Sequence, residues 1–100
     1  MQPNNPNEII RVHILIKGRV QGVGYRAHVE YYALQMGVLG WVRNIGRNAV
    51  ETVAEGTREQ IDQFVEMATT GPSISRVDEA KVEYEPTTGH LSGFFVKHSM

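Results

Sequence analysis

Apolar and polar residues alternate strictly near the start of the chain. Ile10, Val12, Ile14 and Ile16 fall on one side, with Arg11, His13 and Lys17 on the other. A two-residue period predicts a strand over residues 9–17 with one buried face. From Tyr25 the period becomes helical: Tyr25, Val29, Tyr32, Ala33 and Met36 recur at helix spacing, and Gly37 follows as a C-terminal cap. Two short β-rich runs, residues 38–43 and 49–55, flank the polar residues 44–48, which read as a hairpin turn. Thr57 followed by Gln60 forms a capping box and opens a second helix with the apolar stripe Ile61, Phe64, Val65 and Ala68. Gly71 and Pro72 end that helix. Residues 77–84 predict a fourth strand and residues 93–98 a fifth.

The order β-α-β-β-α-β plus a terminal strand is the split βαβ arrangement of ferredoxin-like α+β sandwiches. It places two helices on one face of an antiparallel sheet. Residues 1–8, rich in Asn and Pro, predict a flexible N-terminal tail, and residues 9–100 a single domain. There is no internal repeat or low-complexity tract. This fold hosts many functions, so the chemistry has to come from particular residues.

Composition removes several classes of chemistry. One hundred residues with 41% hydrophobic content suit one core. A formal net charge of −1 gives no global basic field, so duplex nucleic acid is not an implied partner. The absence of cysteine excludes disulfides, thiolate nucleophiles and cysteine metal sites. His13, His28, His90 and His98 show no close ligand spacing, so no metal is expected. Neither a G-x-S-x-G elbow nor a Walker motif is present. Asp62, Glu66, Asp78 and Glu83 read as solvated faces. The first eight residues do not resemble a signal peptide, and no apolar run approaches the ~20 residues of a membrane span. The expectation is a cytoplasmic monomer with no membrane attachment.

The stretch Gly18-Arg19-Val20-Gln21-Gly22-Val23-Gly24-Tyr25-Arg26 joins the first strand to the first helix. Its three glycines allow a tight turn that converges backbone N–H groups on one point, and a helix N-terminus adds partial positive charge. Arg26, in the first helical turn, opposes the helix dipole unless an anion sits beside it. The loop therefore suits a phosphoryl group, with Gly18, Val20, Gln21, Gly22, Val23 and Gly24 as backbone ligands. A lone glycine-rich turn is a weak signal, because any tight strand-to-helix connection can need glycine. The second informative stretch is Gly40-Trp41-Val42-Arg43-Asn44. By local sequence alone Asn44 is an ordinary turn residue, Trp41 an aromatic packing on the sheet, and Arg43 and Arg47 either exposed charges or attractors of an anion.

Together the two stretches resemble the acylphosphatase family, whose two signatures are a glycine loop of this kind and a strand of this kind continuing to Val50 and Gly56. The resemblance runs from about Val12 to Phe95 and includes the element order. One departure is visible: the family usually has Gly where this chain has Asn48. Asn tolerates positive φ better than most residues, and Gly46 suggests a rebuilt turn.

The resemblance implies hydrolysis of the carboxyl–phosphate bond of acylphosphates, giving a carboxylate and inorganic phosphate without cofactor or metal. The family's two functional residues map onto Arg26 and Asn44. A planar guanidinium can grip two phosphoryl oxygens, and an amide can hold a water in line, although it is no base near neutral pH. Two rivals remain at this point. An RNA-recognition domain of the same fold would stack bases on central-strand aromatics, yet residues 49–55 carry none and include Glu51 and Glu55. A phosphate- or carbamoyl-phosphate-binding domain would keep the loop without free-standing catalysis. A 100-residue chain with no attached linker favours the stand-alone enzyme over it.

Overall fold

The computed structural model describes residues 5–100. Its elements are β1 (Ile9–Arg19), α1 (Tyr25–Met36), β2 (Leu39–Ile45), β3 (Ala49–Thr57), α2 (Arg58–Thr70), β4 (Arg76–Glu85) and β5 (Phe94–Val96). They form one five-stranded sheet in the order β4-β1-β3-β2-β5. Both helices pack on one face, over Val12, Ile14, Ile16, Val42, Val50 and Ala54. Period-two alternation accounts for this face, since every second residue of β1 and its register partners on β3 point the same way. Of the tail expected over residues 1–8, residues 1–4 lie outside the described residues. Asn5 begins a turn in which the Glu8 N–H donates to the Asn5 carbonyl at 2.9 Å.

The expected α+β sandwich is present, with one difference in the sheet. β1, β2, β3 and β4 pair antiparallel, but β5 runs parallel to β2. The reason is topological. β4 runs opposite to β2, and residues 86–93 reverse the chain as they cross the end of the sheet to its other edge, so β5 enters in the direction of β2. The crossing is held beneath the sheet by Glu55, which is 3% exposed. Its carboxylate accepts from the Thr88 N–H at 3.0 Å and from Arg11 Nη1 at 2.9 Å, and Arg11 also reaches Glu85.

Two further joints fix the helices. In the capping box the Gln60 N–H donates to Thr57 Oγ1 and the Thr57 N–H to Gln60 Oε1. Gln60 Nε2 also donates to the Met36 carbonyl at 3.0 Å, so the start of α2 closes the end of α1. At the opposite end the buried Tyr25 hydroxyl donates to the Ala68 carbonyl at 2.6 Å, and burial pushes its pKa up to about 12. α1 buries a narrower stripe than its spacing predicts. Tyr25, Val29 and Ala33 are inside, whereas Tyr32 is 40% exposed and rests edge-on against His28.

The charges on the open sheet face make stability depend on pH. Burial raises the pKa of Glu55, but bonds from Thr88 and the Arg11 guanidinium outweigh it and hold the carboxyl below its ordinary value. The unfolded chain therefore binds this proton first. The stabilisation is complete above the ordinary carboxylate range and is lost as pH falls through the folded value. Urea unfolding followed by Trp41 fluorescence is expected to show stability falling below about pH 4.5. Glu55→Gln should lower stability at pH 7 by about 1–3 kcal/mol and flatten the acid limb. An acid limb as steep as the wild type's would place the dependence elsewhere.

Candidate active site at the β1–α1 loop

The chain leaves β1 at Arg19 and enters α1 at Tyr25, so five residues must turn it back over the sheet. Gly22 and Gly24 make this possible with φ of 74° and 77°, where side-chain-bearing residues are disfavoured. Gly24 is also the N-cap of α1, and no side chain caps that end. Among the described residues, the N–H groups of residues 20–24 make no hydrogen bond to a backbone carbonyl. The first turn of α1 adds the unpaired N–H groups that every helix start carries. The loop thus holds several donors without backbone partners next to the positive end of the α1 dipole.

Arg26 stands in that first turn, half-buried. Among the described residues it has no ion-pair partner. Glu30, one helical turn further along, also lines the cleft but does not pair with it.

β2 supplies the opposite wall. The sequence places Asn44 in a turn, but the strand continues through Ile45, so Asn44 lies inside the ladder opposite Val50. Alternation with Val42, which belongs to the core, sends its side chain to the helix face. There its Oδ1 is buried and accepts no hydrogen bond from the protein. A buried acceptor left this way costs about 1–3 kcal/mol unless a donor reaches it.

The cleft between these walls has a volume of about 310 Å³ and is lined by Val20, Gln21, Gly22, Gly24, Arg26 and Asn44, among others. Four of the six expected backbone ligands thus line it. Val23 does not; it packs toward the core. Gly18 does not either: its N–H donates to the Asn48 carbonyl at 3.0 Å, and a Cβ there would collide with the Arg76 carbonyl. Its glycine serves the close approach of β4. No three His, Asp or Glu side chains come together as metal ligands among the described residues.

The part the sequence did not reveal is how the two walls are tied. The Gln21 side chain crosses the cleft floor, and its Nε2 donates to the carbonyls of Ala49 at 2.8 Å, Ile45 at 3.2 Å and Gly46 at 3.2 Å. Gln21 thereby holds the hairpin that carries Asn44. Gly46 takes the positive φ, at 58°, and Asn48 does not. The only hint in the sequence was a long amide among glycines.

Comparison with known proteins decides the family. The chain matches the Acylphosphatase family model over residues 12–96. The chain belongs to the acylphosphatase family. An acylphosphatase of Roseiflexus sp. is 43% identical over 89 residues, covering 89% of this chain and 96% of the relative. A solved acylphosphatase from Coxiella burnetii superposes with a TM-score of 0.84 at 31% identity, covering 97% of this chain and all of that one. HypF from T. kodakarensis superposes at 0.75 and 32% identity, covering 88% of this chain but 12% of that much longer one. The activity is hydrolysis of acylphosphates, with a small acylphosphate as substrate and inorganic phosphate as product.

If Gln21 holds the hairpin, Gln21→Met should disturb Asn44 more than the loop, whose backbone N–H groups stay in place. With acetyl phosphate we expect kcat to drop about tenfold, equivalent to 1.4 kcal/mol, while inorganic phosphate inhibits about as well as before. An unchanged kcat would show that the hairpin stands without this clamp.

Proposed function

We propose that Arg26 and Asn44 are the catalytic residues of this acylphosphatase and that the reaction needs no metal. The observation carrying the proposal is the pairing of an unopposed guanidinium at a helix start with a buried, unpartnered amide oxygen across one cleft. The phosphoryl group sits on the N–H groups of residues Val20 to Gly24, with two of its oxygens in the fork of Arg26. Gly18, whose N–H goes to Asn48, is left out of this ligand set. These donors stabilise the charge spread over the equatorial oxygens of a metaphosphate-like transition state.

A water molecule held by the Asn44 side-chain amide turns a lone pair toward phosphorus. The water oxygen bonds to phosphorus as the bond from phosphorus to the acyl oxygen breaks, and the acyl group leaves as a carboxylate with the electron pair. The water's proton passes to a phosphoryl oxygen or to solvent, because Asn44 cannot hold it. The conjugate acid of the leaving group has a pKa of about 4, so departure needs no general acid. Phosphate monoesters, which leave as alkoxides, are expected to be very slow substrates.

The proposal also takes residues 9–100 as one domain and the protein as a cytoplasmic monomer acting without nucleic acid or membrane. The net charge of −1 supports the absence of a nucleic-acid partner. No helix among the described residues is long and apolar enough to cross a membrane.

Kinetics on acetyl, benzoyl and carbamoyl phosphates test the assignment. Arg26→Ala should abolish both turnover and phosphate inhibition, and near-normal activity would sink it. Asn44→Ala should cut kcat by about 10²-fold or more while phosphate affinity stays nearly intact. Collapse of binding with it would make Asn44 a phosphate ligand instead. EDTA should leave every rate unchanged, and inactivation by chelation would overturn the metal-free mechanism.

A further inference from the structure

The outer surface of the helix layer holds a groove of about 500 Å³ that shares no lining residue with the phosphate cleft. Each helix gives it one stripe. His28, Tyr32 and Met36 recur every fourth residue on α1, and Gln63, Met67 and Thr70 line it from α2. The eight-residue step from His28 to Met36 makes the groove about 12 Å long. Its lining is apolar and polarisable. Met36 and Met67 are half-buried and pack against the core. The exposed Tyr32 ring meets His28 edge-on, with centroids 4.9 Å apart. Burial holds the His28 imidazole below its ordinary pKa, so at pH 7.5 this ring is uncharged.

The charge on these walls has one sign. Glu66 lines the groove and makes no ion pair among the described residues, and no Lys or Arg lines it. The two helices contain no Lys, and their two arginines, Arg26 and Arg58, stand in the first turns. Arg58 is eight residues before Glu66, about 12 Å away along α2. The end of α2 adds to the field. Thr70 and Gly71 close the groove there, and no basic residue in the last turn offsets the partial negative charge of that helix end. A neutral apolar ligand would fill the groove and leave both charges unmatched. We infer that the groove between α1 and α2 binds a small organic cation with a flat apolar body, of the aryl amidine class. The body lies on Tyr32 and the two methionines, where an aromatic ring and thioethers favour a flat π-system. The cationic group meets Glu66 with two parallel N–H···O bonds. This site is independent of the roles proposed for Arg26 and Asn44.

The test titrates the protein with benzamidine, benzamide and benzoate, which share one ring and differ in charge, at pH 7.5 and low salt. The NMR signals of the Met36 and Met67 methyl groups report on the groove. Benzamidine should shift both signals and bind about threefold tighter than benzamide, with benzoate the weakest, and added salt should close the gap. Glu66→Gln should bring benzamidine down to the affinity of benzamide. Glu59→Gln makes the same charge change on α2 outside the groove and should leave the preference intact. Saturating inorganic phosphate should not displace benzamidine, because the cleft at Arg26 is separate. Methyl signals that do not move, or displacement by phosphate, would overturn the site. Equal binding of benzamidine and benzamide, or equal effects of Glu66→Gln and Glu59→Gln, would overturn its assignment to a cation.

Discussion

One side-chain amide joins the two halves of the site. The β1–α1 loop and the β2–β3 hairpin are more than twenty residues apart, and the ladders of β1, β3 and β2 align their strands but not their loops. Gln21 closes that gap with three carbonyls of the hairpin, while the Gly18 N–H holds a fourth, that of Asn48. Once the hairpin is fixed, β2 keeps its register to Ile45 and Asn44 must point to the helix face. The same clamp leaves the other loop N–H groups free of backbone partners. Geometry on both sides of the cleft follows from how these few donors are spent.

Charge is distributed by the same logic. The chain as a whole is nearly neutral, yet two of its carboxylates are committed to cations away from the cleft. On the open face of the sheet Glu55 is matched to Arg11, and Glu51 to both His13 and Arg43. Burial raises the pKa of Glu51, but His13 and Arg43 prevail and keep it depressed, so it stays ionised and in place. Among the described residues Arg26 has no such partner. A protein with net charge −1 therefore leaves an unpaired guanidinium at the start of α1, which total charge could not reveal.

Much of the fold was legible because it depends on local rules. Alternation in β1, the capping box of Thr57 and Gln60, and the cap at Gly37 each act within a few residues, and each element formed where they placed it. What the sequence missed depends on contacts between distant segments. β5 was expected in an antiparallel sheet, but its direction is set by a crossing of the sheet end that Glu55 anchors through Thr88. Asn44 looked like a turn residue because strand β2 overruns the polar stretch to reach its ladder partner Val50. Gly18 looked like a phosphate ligand, although its backbone serves β4 and Asn48. Arg26 and Asn44 were singled out through two signatures read together, and both line one cleft. Gln21 was noticed only for its backbone, since its side chain carries no local pattern.

The simplicity of the site is matched to its leaving group. A carboxylate departs with a conjugate-acid pKa of about 4, whereas the conjugate acid of an alkoxide is about as weak an acid as water. A gap of more than ten units decides which catalytic groups are needed. For the alkoxide a general acid or a metal has to carry part of the barrier; for the carboxylate the phosphorus–oxygen bond breaks unaided once charge on the phosphoryl oxygens is held. The proposed site asks for no more than donors for that charge and an amide for the water, and Arg26 and Asn44 both line the cleft. Such a site would discriminate between phosphate esters and acylphosphates by chemistry rather than by shape.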